Sequence, residues 1–252
     1  MVNYWDIVNR IIYEADILLL IIDARQPDDT LNLEIKRKIT SLGKQLLYVL
    51  NKCDLVSEER LNDALARLKP SVYVSCTKHY GVTKLRQAIF RYGMPVAKQA
   101  GRKELHVGVL GYPNVGKSSV INLLKGKGAA GTSPNSGFTR GHQLIRLNNR
   151  ILLMDTPGVL PREDKGEIVR ARIGAKNPSD VKDPDLAAMD LIEHLEGAIE
   201  QHYTVKAGET SEETLEKIAK RLNFLLKGGE PDINRTARKI IQDWQHGKIK
   251  RE

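Results

Sequence analysis

A glycine-rich octapeptide in the middle of the chain has the composition of a phosphate-binding loop. Residues 111–118 read GYPNVGKS, which matches the pattern GxxxxGK[ST]. In such a loop, backbone N–H groups point inward at phosphates, Lys117 reaches the β- and γ-phosphates, and the Ser118 hydroxyl ligates Mg²⁺. A predicted strand precedes the motif at 106–111 and a predicted helix follows at 117–125, which is the context it requires. The octapeptide predicts that the chain binds a nucleoside triphosphate, but it does not indicate which base.

A tetrapeptide in the first quarter of the chain, called here the base motif, indicates which base the nucleotide carries. Residues 51–54 read NKCD and end the hydrophobic stretch 45–52, and ligand sites in open α/β sheets lie at strand ends. The Asp54 carboxylate can accept hydrogen bonds from N1–H and the exocyclic amine of guanine, a donor pair that adenine lacks. An isolated NKxD is also an ordinary strand-end turn, so its weight comes from the phosphate loop. Residues 75–78, SCTK, end the next predicted strand and form a weaker candidate.

Two further segments lie beside the phosphate loop. Residues 155–158 read DTPG and close the predicted strand 151–155. A Gly/Ser-rich segment at 128–141 precedes them, and loops of this length are usually functional or disordered. Thr132 and Thr139 both lie in that segment. We favour Thr139 as a functional hydroxyl, because its Ser-Gly-Phe-Thr context is typical of a nucleotide-dependent switch.

The order of these motifs is unusual. Along the chain they run NKCD, SCTK, GYPNVGKS, FT and DTPG, whereas common GTPases begin with the phosphate loop and end with the base motifs. In this rotation the chain resembles the circularly permuted GTPases of the YlqF/YawG branch, whose DARxP element is similar to residues 23–27, DARQP. The resemblance covers residues 4–165. It implies a Ras-like sheet that starts with the strand bearing DAR, a helical C-terminal domain, and a role in ribosome assembly, mostly of the large subunit.

The motifs and the resemblance together assign a nucleotide site. Guanine contacts fall to Asn51, Lys52, Asp54, Ser75 and Cys76. Phosphate contacts fall to Asn114, Val115, Gly116, Lys117, Ser118, Ser119 and Gly158, and Mg²⁺ ligation to Ser118, Thr139 and Asp155. The expected ligands are therefore GTP or GDP with Mg²⁺.

Two departures from common GTPases concern catalysis. Val159 stands after DTPG, where Ras-like enzymes carry the glutamine that orients water, and an aliphatic side chain cannot do this. No catalytic residue is therefore assigned; His142 is a candidate substitute, although an ordinary surface histidine is the better interpretation. In similar GTPases an asparagine at the position of Asn114 coordinates K⁺, which would offset developing negative charge. The resemblance thus implies potassium-stimulated hydrolysis.

The elements that must position these residues alternate along the first part of the chain. Short aliphatic segments at 16–24, 45–52, 71–76 and 106–111 are typical of strands buried on both faces. Amphipathic segments at 31–42, 59–68, 83–92 and 117–125 separate or follow them, which predicts a parallel α/β sheet with helices on both faces. Residues 95–102 form a predicted polar connector, and 143–147 and 151–155 a predicted hairpin. Helices are predicted at 186–196, 211–226 and 233–246, so we expect a GTPase domain at 1–182 and a helical domain at 183–252.

Composition and charge restrict the class of protein. The 252 residues carry a net charge of +9. Residues 183–216 hold one basic and ten acidic residues, and 217–252 hold ten basic and four acidic, so a basic body and tail suit a polyanion such as RNA. No apolar run is long enough to span a membrane, and two isolated cysteines argue against zinc or disulfides. We expect a cytoplasmic protein, monomeric and without membrane contact.

Two functions are compatible with these observations. The first is a slow, partner-stimulated GTPase switch that binds rRNA or a precursor of the large ribosomal subunit. In it the tail residues Arg235, Arg238, Lys239, Lys248, Lys250 and Arg251 would contact phosphates. The alternative is a nucleotide-gated docking module with incidental hydrolysis, which would recruit another protein through the acidic stretch 183–216.

Overall fold

The protein forms two compact units. The computed structural model describes residues 4–126, 143–156 and 166–251. The first unit comprises residues 1–54 and 58–162, and the second comprises 55–57 and 163–252. Within the described ranges, no helix combines the length and the apolar character that a membrane crossing requires.

A six-stranded sheet forms the centre of the first unit. Its strands are β1 (Ile17–Asp23), β2 (Gln45–Asn51), β3 (Ser71–Tyr73), β4 (Leu105–Leu110), β5 (Gln143–Asn148) and β6 (Ile151–Asp155). They are ordered β3-β2-β1-β4-β6-β5. All neighbours are parallel except β5 and β6, which form an antiparallel hairpin. The predicted parallel α/β sheet, the strand bearing DAR at its start and the hairpin are confirmed.

The aliphatic sequence of β1 explains its central place. All seven residues of the strand are buried, and β1 pairs with β2 on one side and β4 on the other. A strand covered on both faces is apolar at nearly every position, and in β1 all residues before Asp23 are aliphatic. This is why β1 lacks the alternation of a half-exposed strand. The order of the sheet therefore follows from which segments are continuously apolar.

Among the described residues of the first unit, six α-helices accompany this sheet. They are α1 (Tyr4–Glu14), α2 (Pro27–Thr30), α3 (Leu33–Ser41), α4 (Glu58–Arg67), α5 (Val82–Gln99) and α6 (Lys117–Lys125). The predicted connector at 95–102 is wrong, because α5 continues through Pro95 to Gln99. Its C-terminal part packs closely on the sheet: a Cβ on Gly93 would lie 2.7 Å from Leu105 Cδ1, and Ala97 is fully buried. This packing outweighs the helix-breaking tendency of Pro95. The sequence patterns also missed α1.

In the part of the second unit that the structure describes, the α-helices number five. They are α7 (Glu167–Arg172), α8 (Pro184–His194), α9 (Ala198–Tyr203), α10 (Ser211–Arg221) and α11 (Ile233–Gln245). Their common core includes Leu191, Leu215, Ile240 and Trp244. The helix predicted at 211–226 ends earlier, because Leu222 is its C-cap and Asn223 has a positive φ of 54°. The all-helical character of this part of the chain is confirmed.

The second unit begins before the boundary predicted at residue 182. Helix α7 packs on α8 and α11, and the Trp244 Nε1–H donates to the Arg172 carbonyl at 2.8 Å. The Gln245 amide donates to the carbonyls of Ala171 and Lys176, at 3.2 and 2.9 Å. The segment before α8 therefore depends on α11 for its backbone hydrogen bonds, a contact between distant segments that sequence periodicity does not report.

Substitution Gln245→Ala tests this attachment. Loss of the amide removes one hydrogen bond from each of the two carbonyls, so we expect the unfolding free energy to fall by about 1–2 kcal/mol. Amide hydrogen exchange at 167–176 should become faster. The control is Gln242→Ala, an exposed residue of the same helix, which should change neither quantity. Equal effects of the two substitutions would show that α11 does not hold this segment through Gln245.

Candidate functional site

The sequence motifs meet at one edge of the sheet. In the parallel register, Asp23 is paired with Asn51, and Asp155 with Val109. The phosphate loop leaves β4 directly after Leu110. The carboxyl ends of β1, β2, β4 and β6 thus bring together motifs that are far apart in the sequence, as expected for a ligand site in an open α/β sheet.

Two glycines determine the path of the phosphate loop. Gly111 has φ +149°, and a Cβ there would lie 2.6 Å from the Ile21 carbonyl oxygen. Gly116 has φ +97°, and a Cβ there would lie 2.2 Å from Asn51 Nδ2. A side chain at either position would therefore be strained and would clash with the neighbouring strand end. The loop lies against β1 and β2 because these positions are glycine.

The base motif and the phosphate loop are joined by a hydrogen bond. The Asn51 side chain is 2% exposed, and its Nδ2–H donates to the Val115 carbonyl at 2.9 Å. Asn51 Oδ1 is buried and has no partner among the described residues. The amide is thereby fixed in orientation, with its acceptor still available. Asn51 thus positions the phosphate loop, and its contact with the base stays a prediction of the sequence.

Lys117 is a buried cation whose ammonium group contacts no carboxylate among the described residues. It is 7% exposed, and its Nζ donates to the Tyr112 carbonyl at 2.8 Å. Burial lowers the pKa of Lys117 to about 8, and the charge of Asp155 offsets this only in part. Burial also raises the pKa of Asp155, against the opposing effect of Lys117. A phosphate group would supply the negative charge that this lysine lacks.

A buried ion cluster supports the base motif. Asp23 Oδ1 accepts from the backbone N–H and the Nε of Arg25, both at 3.0 Å. Asp23 Oδ2 accepts from Arg25 Nη2 and Lys52 Nζ, both at 2.8 Å. Burial alone would raise the pKa of Asp23, but the charges and hydrogen bonds of Arg25 and Lys52 outweigh it and hold it well below its usual value.

The ion cluster was not found by sequence reasoning. The DARQP element and the lysine of NKCD were each recognised, but their pairing depends on the parallel register of β1 and β2. Lys52 has a positive φ of 63°, and its ammonium group is anchored on Asp23. Asp23 and Arg25 therefore position the lysine that the sequence assigned to the face of the base.

The segment after β3 also contacts the base motif. The Thr77 hydroxyl donates to Asp54 Oδ2 at 3.1 Å and lies 3.1 Å from the Ser75 hydroxyl. Cys76 lines a cavity of about 380 Å³ together with Ser119 and other residues of α6. Burial, with the Asp54 charge second, raises the pKa of the Cys76 thiol to about 11. The Cys76 thiol is therefore neutral, and it lines this cavity without a charge.

Several predicted site residues are exposed or lie outside the residues that the structure describes. Asn114 is exposed and has φ +60°, and Ser118 and Ser119 are exposed on the first turn of α6. Thr139 and Gly158 lie outside the described residues, as do Thr132, His142 and Val159. The structure thus brings together the base motif, the phosphate loop and Asp155.

The residues present fit a magnesium ion that is held mainly by phosphate oxygens and water. In the described ranges, no group of three or more His, Cys, Asp or Glu residues could hold a metal. Asp155 Oδ1 is buried and lacks a hydrogen-bond partner there, and the Ser118 hydroxyl lies beside the phosphate loop. Mg²⁺ in nucleotide sites usually keeps several waters and takes only one or two protein ligands. Ser118 and Asp155 are suitable for that arrangement.

Comparison with protein families and curated proteins agrees with this site. The family model described as a 50S ribosome-binding GTPase matches residues 106–222. An uncharacterised GTP-binding protein of Methanocaldococcus jannaschii is 42% identical over 252 residues, which cover 96% of this chain and 65% of that protein. The nucleolar GTP-binding protein 2 of Saccharomyces cerevisiae is 32% identical, over 97% of this chain and 52% of its own length. The chain thus spans between half and two thirds of these relatives.

Solved structures share the fold. The GDP-bound structure of YlqF from Thermotoga maritima is similar with a TM-score of 0.65 and 21% identity, and covers 97% of both chains. Its GNP-bound structure has a TM-score of 0.63 over 97% of this chain. The likeness therefore extends over the sheet and the helical region alike.

Substitution Asp23→Asn tests the buried ion cluster. Substitution removes the buried negative charge that Arg25 and Lys52 both contact, so we expect a loss of about 3–5 kcal/mol in unfolding free energy. Urea unfolding measures this change. Asp63→Asn is the matched control, because it removes an exposed carboxylate that also pairs with an arginine, Arg67. A change at Asp23 as small as at Asp63 would show that the cluster contributes little to stability.

Proposed function

We propose that the chain is a circularly permuted GTPase of the YlqF/YawG branch, and that it binds guanine nucleotides and hydrolyses GTP to GDP and phosphate. The observation that carries the proposal is the Asn51–Val115 hydrogen bond. It joins a motif suited to guanine with a loop suited to phosphates, so one nucleotide can occupy both.

Recognition of the base would depend on Asp54. Its carboxylate accepts from N1–H and the exocyclic amine of guanine, while the aliphatic stem of Lys52 covers one face of the ring. Asp23 anchors the Lys52 ammonium group, and Thr77 holds Asp54 from the other side. Ser75 and Cys76 would contact the guanine oxygen through their backbone. Base selectivity thus rests on groups whose positions are set before the nucleotide arrives.

Binding of the phosphates would depend on the loop and the start of α6. Residues 114–119 direct backbone N–H groups toward the ligand, Gly158 adds another at the γ-phosphate, and Lys117 leaves the Tyr112 carbonyl to contact the β- and γ-phosphates. Mg²⁺, held by Ser118 and Asp155 with Thr139, would neutralise phosphate charge. The protein supplies position and electrostatic complementarity, which dominate catalysis of phosphoryl transfer.

Water activation requires a group beyond the chain's own assigned residues. Val159 cannot orient water, so we infer that a cation or a partner completes the site. Asn114 is exposed on the phosphate loop, where its amide oxygen is suited to K⁺. We therefore propose slow intrinsic hydrolysis that K⁺ and a partner accelerate.

The partner we propose is rRNA or a precursor of the large ribosomal subunit. The name of the matching family model, which refers to the 50S ribosome, supports this, as does the positive net charge. The acidic stretch 183–216 keeps the protein-docking module as a second candidate.

Measurement of GTP turnover tests the proposal. We expect slow turnover by the chain alone and at least about tenfold faster turnover with large ribosomal subunits or their precursors, since a completed site gains several kcal/mol of transition-state stabilisation. Replacement of K⁺ by Na⁺ should reduce the rate. Equal rates in the two buffers would remove the potassium site. Tight GDP binding without stimulation would favour the docking module, and absence of guanine-nucleotide binding would contradict the whole proposal.

Protonation of Lys117 gives an independent test of phosphate binding. Without ligand its pKa is about 8, and an adjacent phosphate should raise it. At pH 9 the lysine is mostly neutral, so GDP binding should take up nearly one proton, whereas at pH 7 the uptake should be small. Affinity should consequently fall by up to about tenfold per pH unit above pH 8.

Calorimetry in two buffers of different ionisation enthalpy measures this proton uptake. Lys117→Met should abolish it. Lys44→Met is the control, because burial also lowers the pKa of Lys44 although this residue precedes β2, at the opposite end of the strand from the base motif. Uptake that persisted in Lys117→Met would show that another group carries the proton.

A further inference from the structure

One continuous segment of the first unit contains basic residues and no acidic ones. Residues 64–103 contain nine Lys and Arg residues and no Asp or Glu. The same segment holds Tyr73, Tyr80, Phe90 and Tyr92. It includes β3, which lies at one edge of the sheet, and α5, which packs beside it. Aromatic residues interleaved with cations, in the absence of acids, are the composition of single-stranded nucleic-acid sites.

A groove follows this edge. It has a volume of about 700 Å³, and Gln45, Leu65, Lys69, Pro70, Ser71, Val72, Tyr73, Lys84 and Tyr92 line it. Lys69 and Lys84 are both exposed. Lys69 precedes β3 in the chain and Lys84 follows it. No acidic residue is among these lining residues. The groove, called here the β3 groove, therefore carries cations on an otherwise uncharged surface.

A pair of aromatic rings adjoins the β3 groove through Tyr73, which lines it. Tyr73 and Tyr80 are stacked, with ring centroids 5.8 Å apart and an interplanar angle of 26°, and Lys84 Nζ lies 5.3 Å from the Tyr73 centroid. Tyr80 is 51% exposed and presents a ring surface to solvent. Its backbone forms two hydrogen bonds with Ser75, at 3.1 and 3.0 Å. The exposed ring is thus held on a fixed support.

The basic residues of the helical tail are less available. Arg238 donates to the carbonyls of Pro178 and Val181, and Lys239 and Lys248 both pair with the buried carboxylate of Asp243. The Arg251 guanidinium donates to the His194 carbonyl. These bonds serve the packing of the second unit, so the tail that the sequence singled out for phosphate contacts uses much of its charge internally.

We propose that the β3 groove binds single-stranded RNA, with a base stacked on Tyr80 and phosphates at Lys69 and Lys84. This rests on the proposed function in that it assigns its RNA partner to a surface. An acidic peptide would satisfy the lysines but leave the exposed ring without a partner, whereas every nucleobase offers a π-face. The groove adjoins residues 75–80, which also contact the base motif, so RNA would bind beside the nucleotide site.

Fluorescence anisotropy with a labelled 12-nucleotide uridine oligomer tests this assignment on the full chain. Tyr80→Leu should weaken binding by about tenfold, the amount of one lost stack. Lys69→Gln with Lys84→Gln should weaken it further and reduce the slope of log affinity against log salt by about 1.4, for two phosphate contacts. Matched controls are Tyr13→Leu, a 60% exposed tyrosine of α1, and Lys227→Gln with Lys250→Gln, two exposed lysines of the second unit. Both should keep wild-type affinity.

Three results would overturn the assignment. Equal losses in the groove variants and their controls would indicate unspecific attraction of a polyanion. Equal binding of a 12-residue polyglutamate, with the same loss in Tyr80→Leu, would indicate an acidic-peptide site. Unaltered RNA binding in both groove variants would place the RNA elsewhere. A fluorescent GDP analogue, measured in parallel, should bind all variants like the wild type; its failure to bind the wild type would contradict the proposed function and leave the RNA result standing.

Discussion

The arrangement of the site depends on the hydrogen bond from Asn51 to the Val115 carbonyl. The two residues are 64 positions apart in the chain, yet the bond is buried and seats the phosphate loop on the end of β2. It also explains why residue 116 is glycine, since a Cβ there would occupy the space of the Asn51 amide. Base motif and phosphate loop are therefore not two sites that happen to be adjacent, because each determines the geometry of the other.

The sheet makes this contact possible in a chain whose motifs run in rotated order. A ligand site at the carboxyl ends of parallel strands depends on which strands are neighbours and leaves their connection free. Here β1 lies between β2 and β4, so the element bearing Asp23 separates the strands that carry the base motif and the phosphate loop. The β1 strand thus has two tasks: its apolar residues form part of the core, and its last residue, Asp23, places a carboxylate at the centre of this edge of the sheet.

The sequence predicted those parts that are local. Continuous aliphatic runs identified the buried strands, and GYPNVGKS and NKCD identified the binding edge. The failures involve contacts between distant segments. A connector was predicted from Pro95 to residue 102, yet close packing of Gly93 on the sheet keeps α5 helical to Gln99.

The same limit applies to charged residues, whose roles depend on their neighbours. The Asp23–Arg25–Lys52 cluster requires a strand register that no pattern in either motif reveals. From the sequence alone, the basic residues of the tail were expected to contact phosphates. The structure shows that Lys239 and Lys248 both form ion pairs with the buried carboxylate of Asp243.

Asp23 and Lys117 show how burial divides supporting groups from binding groups. Both charges are buried at the same edge of the sheet. Asp23 has two cationic partners within 2.8 Å, and they more than offset the cost of its burial, so it has no capacity left for a ligand and serves as a support. Lys117 has a carbonyl oxygen in contact and only a more distant carboxylate, so part of its desolvation cost stays uncompensated. An anionic ligand that approaches Lys117 relieves that cost, whereas one that approaches Asp23 would disrupt a satisfied cluster. This difference supports the proposed polarity of the site, with phosphates at α6 and the base at β2.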